Sequence, residues 1–94
     1  MNKPMVGDLR IFWIPQVPMK AFYVSVENIK EAAKILRILA NYDIFQFQNR
    51  IKPDYSNAGG LQICEDLGGD TPEWNDWYNE NDVDIDSLMD HGEL

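Results

Sequence analysis

One helical period framed by short alternating segments predicts an α+β fold: a small, mainly antiparallel sheet in the order ββαβββ, with one amphipathic helix packed on one face. Three observations carry this. Phe22, Val24 and Val26 alternate with polar or smaller neighbours at the period of a half-buried strand. Ile29, Ala32, Ala33, Leu36 and Ala40 recur at helical spacing. The chain has 94 residues, 45% of them hydrophobic, which suffices for one modest core because a domain of this size buries only about two-thirds of its unfolded surface.

The elements follow in order. Leu9–Ile14 and Lys20–Val26 are rich in β-branched and aromatic residues and read as strands. Between them, Pro15-Gln16-Val17-Pro18 removes two backbone donors and must interrupt the ladder. The same four residues have the spacing of a polyproline ligand, but a connection between strands is the commoner use. Asn28, with Glu31 three residues on, forms a helix start of the capping-box kind. The helix is expected from about Asn28 to Tyr42, with Lys30, Lys34 and Arg37 on its solvated side. Asp43–Asn49 alternates again and reads as a strand, with Phe45 and Phe47 on one side.

Arg50–Gly60 collects Pro53, Asp54, Asn57, Gly59 and Gly60 and reads as a loop, with Tyr55 as its inward anchor. Leu61–Glu65 is a short strand, and Gly68-Gly69-Asp70-Thr71-Pro72 breaks it. From Glu73 a strand or ribbon is expected, since Asn75, Asn79 and Asn81 are poor helix formers. Val83–Leu94 reads as frayed or only weakly helical through Ile85, Leu88 and Met89. The organisation is one domain over residues 1–86 with an acidic tail over 87–94. Phe22, Val24, Ile29, Leu36, Leu39, Phe45, Phe47, Leu61 and Ile63 are the expected core.

Net charge is −8, but it is unevenly distributed. Residues 1–64 hold all eight Lys and Arg against five acids, whereas residues 65–94 hold eleven acids and no Lys or Arg. Such a field repels nucleic-acid phosphates and anionic membranes and attracts basic protein surfaces. No direct nucleic-acid partner and no membrane association are expected. No apolar run approaches the ~20 residues of a membrane span, and no basic segment with an apolar run opens the chain, so the expected compartment is the cytoplasm. Cys64 is the one cysteine, which excludes an internal disulfide and reads as a buried small hydrophobe.

Little here suggests catalysis. His91 lies near the end of the sequence, Cys64 has no histidine beside it, and no phosphate-loop, dinucleotide or zinc-protease motif occurs. An exposed carboxylate cluster lacks the desolvation that acid/base work needs. Asp82, Asp84, Asp86, Asp90 and Glu93 fall in part of a calcium-loop register, but Ser87 stands where the sharp turn wants glycine. The expectation is a non-enzyme without cofactor or metal.

What remains is the pairing of aromatic with acidic residues. Trp74, Asp76, Trp77, Tyr78, Glu80, Asp82 and Asp84 are the candidate partner-binding residues, with rings as anchors and carboxylates steering a basic partner. Burial of one or two of these rings in the domain's own core is the plainer reading of the same residues. An alternative ligand site is Arg50, Lys52, Tyr55 and Asn57, where loop cations, with Arg10 and Lys20, would hold the phosphates of a nucleotide. Spare strand edges make a homodimer possible.

Four stretches, Ile14–Val24, Asn41–Phe47, Ile51–Leu61 and Trp74–Tyr78, resemble a family of short phage and prophage proteins labelled as superinfection exclusion proteins. The resemblance covers about residues 7–86. It implies a phage accessory protein acting in the host cytoplasm against a competing phage or a host defence system. Together with the charge layout, it gives the expected function: non-enzymatic binding and inhibition of a host or competing-phage protein. Sequestration of an immune signalling nucleotide is the alternative.

Overall fold

The computed structural model describes residues 5–49, 57–66, 68–69, 71–92 and 94. Four strands and two helices follow in the order β1 (Leu9–Ile14), β2 (Phe22–Val26), α1 (Ile29–Gln48), β3 (Ala58–Glu65), β4 (Glu73–Asp76) and α2 (Ile85–Asp90). The strands form one antiparallel sheet in the order β2-β1-β3-β4, so the α+β class and the helix-on-sheet arrangement hold. Ile11 pairs with Val24 and Leu61, and alternation puts Ile11, Trp13, Leu61 and Val26 on one face. There they meet Ala32, Ala33 and Leu36 of α1.

The start of α1 is built as its sequence requires. The Asn28 side-chain oxygen accepts from the Glu31 amide at 2.8 Å, and the Glu31 carboxylate accepts from the Glu27 amide at 3.3 Å. The reciprocal bond therefore reaches one residue further back than the usual box.

Asp43–Asn49 is not a strand: α1 runs on to Gln48. Successive helical residues turn by about 100°, so Phe45 and Phe47 point to opposite sides. They are 58% and 43% exposed, and neither belongs to the core. Asp43 instead is the buried residue of this stretch, and the Asn57 amide donates to its carboxylate at 2.5 Å, tying the helix to the start of β3. Phe22 faces the helix side but stands at the end of an edge strand, where it stays 43% exposed. Leu36 and Leu61 are buried, and Val24, Ile29 and Leu39 pack half-buried against them.

The expected loop over 50–60 also ends earlier. Ala58, Gly59 and Gly60 already pair with Ile14, Trp13 and Phe12, while residues 50–56 lie outside the described ones. The two glycines make room for two rings on opposite faces. A Cβ on Gly59 would stand 2.4 Å from the Trp13 ring, and one on Gly60 would stand 2.8 Å from the Phe12 ring. Lastly, 85–90 is an ordered helix whose Ile85 and Leu88 are buried.

Candidate functional site

The acidic half of the chain is pinned to the sheet at several points. β4 pairs Trp74 with Cys64 and Asp76 with Gln62, and the Trp77 amide donates to the Leu61 carbonyl at 2.9 Å, carrying the ladder one residue further. Asn79 then organises a tight loop: its side-chain oxygen accepts from the Asn81 and Val83 amides at 2.8 and 2.9 Å. Asp82 takes a left-handed backbone conformation there, with φ 61°. Asp84 caps α2 by accepting from the Ser87 amide at 2.9 Å.

This path separates the candidate residues by role. Trp77 packs half-buried against the core. Trp74 is half-buried on the sheet face away from α1, while Tyr78 is 52% exposed. Asp76, Glu80, Asp82 and Asp84 are all exposed. Asp76, Asp84 and Asp86, with the rings of Phe12 and Tyr78, line one cleft of about 170 Å³ that opens beside Gly60. Asp86 is not among the residues that the sequence offers for partner binding. Burial pushes its carboxyl above the usual aspartate range, and the nearby Asp84 and Asp90 add to the shift. Asp84 is held below that range by its hydrogen bonds from the Ser87 amide and side chain.

The open sheet face carries a second constellation. The Arg10 guanidinium lies 3.9 Å from the Tyr23 ring centroid and 4.2 Å from that of Trp74, and its Nε donates to Gln62 at 2.8 Å. Four adjacent strands supply these four side chains, so the register assembles what the sequence keeps far apart. Cys64 is fully buried beneath this face. Burial raises its thiol pKa, Asp8 adds to the rise, and Arg10 opposes it, which leaves an unreactive thiol.

A larger cavity of about 530 Å³ opens between α1, the start of β3 and α2, floored by Trp13, Leu36 and Met89 and rimmed by Arg37, Asn57 and Asp86. Arg37 donates to the Leu94 carbonyl, and Asn57 donates to Asp43. Asn57 is thus the one described member of the alternative ligand set; Arg50, Lys52 and Tyr55 lie outside the described residues. Among the described residues no group of three His, Cys, Asp or Glu side chains is placed to hold a metal ion, and no helix is long and apolar enough to cross a membrane.

Comparison with known proteins identifies the family. The family model described as superinfection exclusion gene product 17 matches residues 8–93. A curated relative, the superinfection exclusion protein of Salmonella phage P22, is 47% identical over 81 residues, covering 77% of this chain and 78% of that protein. No solved structure matches. The chain belongs to the superinfection exclusion gene product 17 family.

Proposed function

We propose that this member of the superinfection exclusion family is a non-enzymatic inhibitor that acts in the host cytoplasm by docking its acidic cleft on a basic surface of a host or competing-phage protein. One observation carries the reading: three carboxylates, Asp76, Asp84 and Asp86, and two rings, Phe12 and Tyr78, line a single cleft. That combination suits a Lys or Arg side chain, which gains charge-assisted bonds from carboxylates and attraction to ring faces. No Lys or Arg lies within residues 65–94, so the segment's own fixed charges are all negative and would steer a cationic surface.

The test is a phage challenge of cells expressing the chain. Replacing Asp76, Glu80, Asp82 and Asp84 with their amides should abolish exclusion with the fold intact. Asn retains the cap at position 84 and tolerates the backbone at position 82. Tyr78→Ala should weaken exclusion in the same assay. Full exclusion by the amide variant would refute the reading.

A second reading rests on the larger cavity, whose 530 Å³ lies in the usual range of small-molecule sites, ~300–1,000 Å³. Arg37 and Asn57 at its rim would take the phosphates of a signalling nucleotide. Both donors are already engaged within the fold, and Asp86 faces the same space, which ranks this reading second. It predicts that Arg37→Ala abolishes exclusion and the amide variant does not.

A further inference from the structure

We propose that α1 carries a separate interface, an antiparallel coiled-coil seam through which two copies of this chain pair. Ile35, Ile38, Tyr42 and Phe45 follow one another at spacings of three, four and three residues, the a/d spacing of a heptad. On a helix of 3.6 residues per turn they fall within about 80° of arc. That arc points away from the sheet, opposite Ala32, Ala33 and Leu36, which α1 buries. Ile38, Tyr42 and Phe45 are 56%, 61% and 58% exposed, and half-buried Ile35 forms the shared margin between seam and core.

The exposed area is sufficient to matter. A fully exposed large ring presents about 150–250 Å², so at these exposures the stripe offers roughly 300–400 Å² per copy, within the size range of functional apolar patches. A standard interface needs about 800 Å² per partner, and the flanking Lys34, Asn41, Gln46 and Gln48 would supply the remainder as a polar rim.

The stripe is symmetric about residue 40, with 35 matching 45 and 38 matching 42, so it is complementary to a second copy of itself, and the charges of α1 set the direction. Every cation of α1, Lys30, Lys34 and Arg37, lies in its first half, and the last turn has none. Parallel pairing would bring the two cationic halves together. Antiparallel pairing places each beside the other copy's helix C-terminus, where the backbone dipole is negative. In that arrangement Ile35 meets Phe45 and Ile38 meets Tyr42, so every layer is apolar. Asn41 faces its own counterpart, and Lys34 lies across from Gln48. The seam is on the far side of α1 from the sheet, so pairing leaves the acidic cleft uncovered.

Sedimentation equilibrium of the full chain across micromolar to millimolar concentration tests this. The wild type is expected to reach dimer mass. Tyr42→Glu/Phe45→Glu should remain monomeric with unchanged helical circular dichroism, because both side chains are exposed. Gln48→Glu should tighten the dimer roughly two- to tenfold at low salt and Gln48→Lys should weaken it by a similar factor, since each dimer holds two such cross-pairs. A wild type that stays at its 10.9 kDa monomer mass overturns the proposal. So does a dimer that persists in the double variant, which would place the contact elsewhere, for instance at the β2 edge or on a different partner's helix. Weakening by Gln48→Glu would overturn the antiparallel register.

Discussion

Ile85→Ala should release the acidic segment from the sheet before it unfolds the domain. Ile85 is 2% exposed and belongs to the core cluster with Leu61 and Leu36. Removing a buried isoleucine side chain to alanine costs about 2–5 kcal/mol. The helix that carries it has six residues, far short of the ~12–15 at which an isolated helix becomes even marginal. α2 therefore persists only through Ile85, Leu88 and the Asp84 cap, and the loss falls on the local opening of that segment. At the lower bound of about 2 kcal/mol, opening becomes roughly thirtyfold more frequent. Amide hydrogen exchange reads this directly at Val83, Ser87, Leu88 and His91, whose amides are bonded within the segment. Protection there should drop by at least that factor while amides of β1 and β3 lose less, and exclusion activity should fall because the cleft loses Asp84 and Asp86. A drop below about threefold at these amides would show that Ile85 is not the anchor.

Three further outcomes follow from the same structure. Asp86 has its carboxyl raised by burial first and by Asp84 and Asp90 next, so its contribution to stability is complete below the ordinary aspartate value of about 3.9 and is lost as pH rises through the folded one. Asp86→Asn should then raise the melting temperature at neutral pH and leave it unchanged in acid, and an equal effect at both would refute the assignment. Gly59→Ala forces a Cβ against the Trp13 ring and should cost about 1–3 kcal/mol in urea unfolding, with a shift in tryptophan fluorescence as the ring moves toward the larger cavity. Arg10→Lys replaces a plane stacked between Tyr23 and Trp74 with a point charge and should cost about 1 kcal/mol, and an unchanged urea midpoint would mean that the stacking contributes nothing.

The fold class was legible because its signals are local. Asn28 and Glu31 announce the helix, and alternation announces β1 and β2. The Asp43–Asn49 stretch misled because two heptad features overlap in it. Phe45 ends the outward stripe begun at Ile38, while Phe47 lies on the sheet-facing side beyond Asp43, and together they imitate the period of a strand. The signal that decides for helix was present: Ile35, Ile38, Tyr42 and Phe45 keep helical spacing across the supposed boundary, and no Gly or Pro interrupts the chain before Pro53. Gly59 and Gly60 read as turn residues for a different reason. Their requirement comes from Trp13 and Phe12 across the ladder, and a single strand's sequence does not contain its partner. The Arg10 sandwich was hidden in the same way, by register.

Under the proposed docking, the aromatic–acid segment would serve both stability and recognition. A chain with one modest core has few ways to hold an acid-rich segment, because carboxylates cannot be buried without partners. Here the backbone and the apolar minority do the holding. The Trp77 amide continues the β3 ladder, and its ring packs against the core cluster that includes Ile85. The next residue, Tyr78, then projects with Asp76 into the cleft. Asp76 and Asp86 are thus placed by the backbone and the apolar minority, and Asp84 by its cap bond from the Ser87 amide, while the Asp86 carboxyl, raised first by burial and next by Asp84 and Asp90, would be favoured in its charged form by a nearby cation. Substitutions at Trp77, Ile85 or Leu88 should thus cost stability and exclusion together, whereas those at Tyr78, Asp76 or Glu80 should cost exclusion alone.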